Sequence, residues 1–182
     1  MTTKNFKAFL QMVLQACYYG TAKAMVEAKY TNGNTCYLAP PLEQNVFPRT
    51  VASTLATNGY GGISVGRGNR PATEDDYRLE DKITTGLTAE SPTKTSGVDS
   101  DGNPYLEYQF LLSNTTGADI VIKEVGYGQS VYCGNTAGAT SISTYSILFD
   151  RTVLENPLTV PANGTAVLKY TLKTIINTPS VS

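Results

Sequence analysis

Residues 105–112 read YLEYQFLL, and the spacing within them decides the fold class. Leu106, Tyr108, Phe110 and Leu112 fall on one side of an extended chain, while Tyr105, Glu107 and Gln109 fall on the other. A period of two with aromatic and aliphatic residues on one side is a strand with one face toward a core. Just upstream, DSDGN at 99–103 separates this strand from a run starting near Thr95, so 95–112 reads as a hairpin. The same stretch, VDSDGNPY, superficially suggests a calcium loop. Such a loop needs its glycine in sixth place, and here Gly102 comes fourth after Asp99, so a turn is the better reading.

Outward from this hairpin the pattern continues. Asn114 to Gly117 is a turn into DIVIKEVGY, and SISTYSILFDRTVL at 141–154 is one long strand or two joined at a bulge. PANG at 161–164 turns into TAVLKYTLKTII, where Ala166, Leu168, Tyr170, Leu172 and Ile176 share a face opposite Lys169, Thr171 and Lys173. Toward the N-terminus, GGISVG at 61–66 is a short strand. Asn32-Gly33 between AMVEAKY and TCYLAP marks another hairpin, and Pro40, Pro41 and Pro48 break the stretch that follows.

The first twenty residues differ. Phe6, Phe9, Leu10, Val13, Leu14 and Cys17 recur at spacings of three and four, with Lys4, Lys7, Gln11 and Gln15 largely opposite and Gly20 as a stop. Lys7, Gln11 and Gln15 interrupt the apolar run too often for a signal peptide, so this is an amphipathic helix. It either lies in a partner's groove or packs on its own domain. Residues 1–30 carry four lysines and one glutamate, a net +3, whereas 74–81 carry five acids and one arginine, a net −4.

Composition narrows the chemistry. A net charge of −1 with 16% charged residues argues against a nucleic-acid-binding surface spread over the whole protein, and no apolar run is long enough for a membrane-spanning helix. Histidine is absent, which removes Ser-His-Asp and Cys-His nucleophile systems and most zinc sites. The remaining Ser-Lys and Thr nucleophile arrangements find no support in spacing. Cys17, Cys36 and Cys133 are odd in number, far apart and without a C-x-x-C pair, which reads as reduced thiols in a cytosolically made protein.

One segment invites a stronger reading: GISVGRGNRPATEDDYRLEDKI at 62–83. Gly66 and Gly68 after an apolar run suggest a nucleotide loop, but Pro71 stands where the third glycine should be and no Gly-Lys-Ser/Thr follows. The acids Glu74, Asp75, Asp76, Glu80 and Asp81 suggest a metal site. The structural alternative is a solvated cluster opening a short helix, with Thr73 as cap, Asp76 in the capping-box position, and Leu79 and Ile83 as anchors. In that reading the two glycines let the chain turn tightly at a strand end. No catalytic, cofactor-binding or metal-ligating residue is assigned.

With these residues laid out, the segment resembles one found in tailed-bacteriophage structural proteins, through Gly66, Gly68, Pro71, Asp76, Leu79 and Glu80. IVIKEVGY and LFDRTVLENPLTVPANGTAVLKYTL are similar to the "EVG" and "DR…P…V..G" strands of those proteins. The resemblance spans about residues 59–176. It implies a non-enzymatic virion component, made and assembled in the bacterial cytoplasm and present in many copies. Its expected fold is mainly β: an antiparallel sandwich or jelly-roll-like domain at 59–182, preceded by an N-terminal helical arm, hairpin and irregular connection at 1–58. Its expected partners are copies of itself and neighbouring neck, tail or capsid proteins, with no nucleic acid, no membrane and no cofactor. A rival expectation is a head-fibre or tail-tip module whose tyrosines and Asn/Asp side chains bind a glycan.

Overall fold

The computed structural model describes residues 1–19, 26–39, 55–56, 61–139, 141 and 143–173, with the side chains of the N-terminal helix described as far as Met12. Gly20, Pro40, Pro41, Pro48 and Ile176, and the side chains of Val13, Leu14 and Cys17, lie outside the described residues. In chain order the elements are α1 (Lys4–Tyr19), β1 (Val26–Lys29), β2 (Thr35–Leu38), β3 (Gly62–Gly66), β4 (Leu87–Ala89), β5 (Thr93–Val98), β6 (Pro104–Asn114), β7 (Ile120–Gly134), β8 (Ser143–Val160) and β9 (Thr165–Lys173). The chain is therefore mainly β with one helix near its N-terminus, and its strands pair into two antiparallel sheets.

Each sheet is organised on one long strand. In the first, one edge of β7 carries β3 at Glu124–Gly128 and β2 at Cys133–Gly134, while the other edge carries β8; β1 extends the sheet beyond β2. In the second, one edge of β6 takes β5 and β4, and the other takes β9. The alternation at 105–112 explains the second sheet directly. Tyr108, Phe110 and Leu112 are buried and lie opposite Tyr170, Leu168 and Ala166 of β9, so their side chains form cross-strand pairs on the core face.

The turns follow from local chemistry. In the β5–β6 turn the Asp99 carboxylate accepts from the amides of Asp101 at 2.9 Å and Asn103 at 2.8 Å, and Lys173 pairs with its other oxygen. This acid closes the turn that contains it. Asn163 of PANG takes φ 52°, the left-handed conformation that asparagine tolerates better than most residues.

Residues of both sheets and of α1 enter a single buried cluster: Tyr108, Phe110 and Leu168 from one sheet, Val125, Ile147 and Phe149 from the other, and Ala8, Phe9 and Met12 from the helix. The helix thus packs on its own chain, with the Phe6 and Phe9 rings 5.7 and 5.1 Å from Phe149. Its buried face is turned slightly from the expected stripe. Ala8 and Met12 are buried and Leu10 is 44% exposed, because Asn5 faces inward as well. The Asn5 amide donates to the Lys29 carbonyl at 2.7 Å and its carbonyl accepts the Lys29 amide at 2.8 Å, so the side chain imitates a neighbouring strand at the end of β1.

The described part of the 141–154 run from Ser143 on belongs to one strand, β8, with a bulge in its pairing. Tyr127 pairs with Asp150 but Gly128 pairs with Leu148, so β8 gains one residue there. Residues 148 and 151, three apart, then face the same side: Leu148 sits opposite Gly128 and Arg151 opposite Gly126. Strict alternation would have sent them to opposite faces. That side of the sheet is the one covered by residues 67–83.

Candidate functional site

The glycine-acid segment forms a loop whose ends meet. It leaves β3 at Gly66, returns beside it at Lys82, and is closed by the Arg67 amide donating to the Asp81 carbonyl at 2.8 Å and the Ile83 amide donating to Val65 at 2.9 Å. No helix forms at 73–83, contrary to the sequence expectation. Only the capping contacts appear: the Thr73 amide donates to the Asp76 carboxylate at 2.9 Å and the Asp76 amide to the Thr73 carbonyl at 3.2 Å. The helix fails because its donors go elsewhere. The amides of Glu80 and Asp81 would bond carbonyls four residues back, but they donate instead to Glu124 of β7, at 3.1 and 2.8 Å. Leu79 and Ile83 are buried as expected, Leu79 against Leu148.

Glu124 and Arg151 form the centre of this corner, and both are 0% exposed. The Arg151 Nε donates to Glu124 Oε2 at 2.7 Å and one terminal nitrogen donates to Asp76 at 2.9 Å. The other terminal nitrogen donates to the Arg70 carbonyl at 3.0 Å and lies 3.7 Å from Glu80. Glu124 Oε1 accepts the amides of Gly68 at 3.1 Å and Asp81 at 2.8 Å, while Oε2 takes Glu80 and Arg151. Four donors on one carboxylate and a fully engaged guanidinium satisfy the demand that buried charge be paired and hydrogen-bonded. Burial alone would raise the Asp76 carboxyl, but the Thr73 amide, Arg70 and Arg151 outweigh it and hold this group below the ordinary aspartate value. Burial likewise opposes charge on Arg151, and Glu124 with Asp76 reverses the effect. With its lone pairs so occupied, Glu124 serves with Arg151 as a structural junction.

The glycines have a different role from the one expected. Neither Gly66 nor Gly68 has a positive φ; a side chain at Gly66 would meet the Glu124 carboxylate, and one at Gly68 would meet Glu80 as well as Glu124. A Cβ on Gly66 would stand 2.4 Å from Glu124 Oε1 and 2.6 Å from the Asp81 carbonyl oxygen, and one on Gly68 2.6 Å from that same Oε1. Gly66→Ala is therefore expected to destabilise the protein by about 1–3 kcal/mol, since the loop backbone must retreat. Gly117→Ala, whose Cβ meets nothing within 4 Å, should change stability by less than about 0.5 kcal/mol in the same thermal or urea melts. Equal effects at both positions would contradict this account of Gly66.

The acidic cluster divides accordingly. Asp76 belongs to the buried junction, whereas Asp75 pairs with Lys4 at 2.6 Å and Glu74 pairs with Lys7. The opposite charges of the first thirty residues and of 74–81 thus meet within one chain. These exposed pairs contribute little stability by themselves, and they orient the helix on the loop.

A second feature is a groove of about 860 Å³ between the exposed side of α1 and the ends of β6 and β9. Phe6, Leu10, Tyr105, Tyr127, Asp150 and Tyr170 are among its lining residues. The Tyr170 hydroxyl donates to Asp150 at 3.0 Å, and the Tyr127 and Tyr170 rings lie 6.3 Å apart. Burial and the adjacent Asp150 carboxylate raise the Tyr170 hydroxyl, and burial pushes that of Tyr127 up to about 12. Both phenols are neutral at ordinary pH, Tyr170 donating to Asp150 and Tyr127 accepting from the Gln129 side-chain amide. Tyr108 and Tyr170 lie on core faces, as the alternation predicted, yet Tyr170 also reaches this groove.

Two features escaped sequence reasoning. Arg151 as the hub could have been suspected from a charged pair, Asp150-Arg151, inside an otherwise apolar and threonine-rich strand. The tyrosine groove left no local signal, because it depends on the register that sets Tyr105 opposite Lys173 and Tyr127 opposite Asp150 across paired strands. Comparison of the chain with protein-family models, with curated proteins and with solved structures finds no match.

Proposed function

We propose that the chain is a non-enzymatic structural component of a tailed-bacteriophage virion, assembling as a homo-oligomer and binding neighbouring neck, tail or capsid proteins. One observation carries this reading. The three separated pieces of the phage-like pattern, represented by Gly66 to Glu80, by Glu124 and by Arg151, converge on the same buried corner. Gly126 belongs to it too, since a Cβ there would lie 2.8 Å from Leu79 and 2.9 Å from Leu148. A pattern that encodes one saturated junction supports kinship through a rigid scaffold rather than through a reaction. In this reading the two sheets pack as a sandwich around their shared core, and the protein resides in the virion after assembly in the host cytoplasm.

The groove beside α1 is the contact surface in this proposal, with Leu10 as its exposed apolar residue. Sedimentation of the full chain should give a closed oligomer, and Leu10→Glu should reduce it to monomer while leaving the melting temperature within a few degrees. A wild-type monomer at tens of micromolar would refute self-assembly. Mass spectrometry of purified particles from a phage carrying this reading frame should find the chain at fixed stoichiometry, and its absence from them would sink the virion assignment.

The tyrosines and Asp150 around the groove favour one second reading, a glycan-binding head-fibre or tail-tip module, since aromatic faces and a polar edge suit a sugar. Glycan-array binding by the oligomer that Tyr105→Ala removes would select it.

A further inference from the structure

We propose that Cys36 and Cys133 are a latent intramolecular cross-link, closed by a hydroperoxide, that ties the β1–β2 hairpin to β7. The two sulfurs lie 3.3 Å apart, both side chains are 1% exposed, and both thiols are free. Leu38 pairs with Cys133, so Cys36 sits diagonally across from it on the same face of the sheet. A disulfide requires about 2.05 Å between sulfurs, so closure brings the two sulfurs about 1.2 Å nearer, with the seam backbone adjusting to the diagonal pairing.

The position gives the bond a purpose. Among the described residues, β2 meets β7 through only two paired positions, Tyr37 with Gly134 and Leu38 with Cys133, extended by the Ala39 amide donating to Tyr132 at 3.0 Å. This is a short seam between a four-residue strand and the fifteen-residue strand that organises its sheet. The cysteines are 97 residues apart in sequence, so the bond would close a long loop in the unfolded chain, where cross-linking is most stabilising.

The chemistry balances with a hydroperoxide as oxidant. The hydrogen bond shared by the two sulfurs lowers the Cys36 thiol, while the Cys36 sulfur and burial hold the Cys133 thiol up. Local opening of the seam admits the small oxidant. The Cys36 thiolate attacks the peroxide oxygen, the O–O bond breaks, and a sulfenic acid forms with release of hydroxide, which becomes water. The Cys133 sulfur then attacks the Cys36 sulfur, and the S–O bond breaks with loss of a second water. Two thiols lose two electrons and two protons, and one hydrogen peroxide becomes two waters.

The test uses the full chain with Cys17→Ser, so that only this pair is present. After hydrogen peroxide treatment, denaturation and thiol counting, loss of two thiols per chain is expected, with a monomeric non-reduced band and a mass-mapped peptide pair joining Cys36 to Cys133. The melting temperature should rise by about 5–10 °C and fall back on reduction. Cys36→Ala in the same background, and Cys133→Ala should the first variant fail to fold, should abolish both the link and the shift. Persistent free thiols, an intermolecular link, oxidation to sulfinic acid without a link, or a link with no rise in melting temperature would each overturn the proposal.

Discussion

Replacing Arg151 with methionine is expected to lower the melting temperature by about 6–20 °C. The side chain is 0% exposed and holds Glu124 and Asp76 at 2.7 and 2.9 Å. Removing it leaves two buried carboxylates facing each other without their shared cation, and breaking such a pair from one side costs about 3–5 kcal/mol. For a domain of this size each kcal/mol corresponds to about 2–4 °C. Arg151→Lys should fall between, because an ammonium cannot reach Glu124, Asp76 and the Arg70 carbonyl at once with a planar fork. Thermal melts of both variants decide the matter. A methionine variant within about 1 kcal/mol of wild type would mean that the corner contributes nothing its apolar surroundings do not.

Phe9→Ala should be nearly as severe, with an expected loss of about 3–5 kcal/mol in urea unfolding. Phe9 is buried with its ring 5.1 Å from Phe149, and Phe149 in turn touches Phe6 and Tyr127, so the truncation opens a void at the centre of an aromatic group. Leu10→Ala, one residue on and exposed, should cost less than about 1 kcal/mol. The contrast between neighbours is the discriminating measurement. A helix held only by its partners in an assembly would show no difference between the two in the isolated chain.

The parts of this fold legible in the sequence are those governed by near neighbours. Alternation at 105–112 and 165–172 announced β6 and β9, and Asn32-Gly33, DSDGN and PANG announced their turns. The corner was not legible because it depends on a bulge. Read with strict alternation, Leu148 and Arg151 face opposite ways; one extra residue in β8 places both beneath the 67–83 loop. The same limit explains the helix expected at 73–83. Thr73 and Asp76 make the local contacts of a cap, and a carboxylate more than forty residues away then takes the amides that a helix would need. The two glycines were noticed for the right positions and the wrong reason, since the space they leave belongs to the Glu124 side chain on another strand and, at Gly68, also to Glu80. The groove tyrosines were invisible individually, being ordinary strand residues until the register brings them together.

The order in which these partners become available matters as well. The glycine loop is complete once residue 82 has left the ribosome, yet Glu124, which takes its amides, comes more than forty residues later, and Arg151 twenty-seven residues after that. Until then Gly68, Glu80 and Asp81 have no native acceptor and Asp76 has no buried cation. The most recognisable stretch of the chain is thus among the earliest to be synthesised in the β region and among the last that can close. Its native form waits on translation reaching β8.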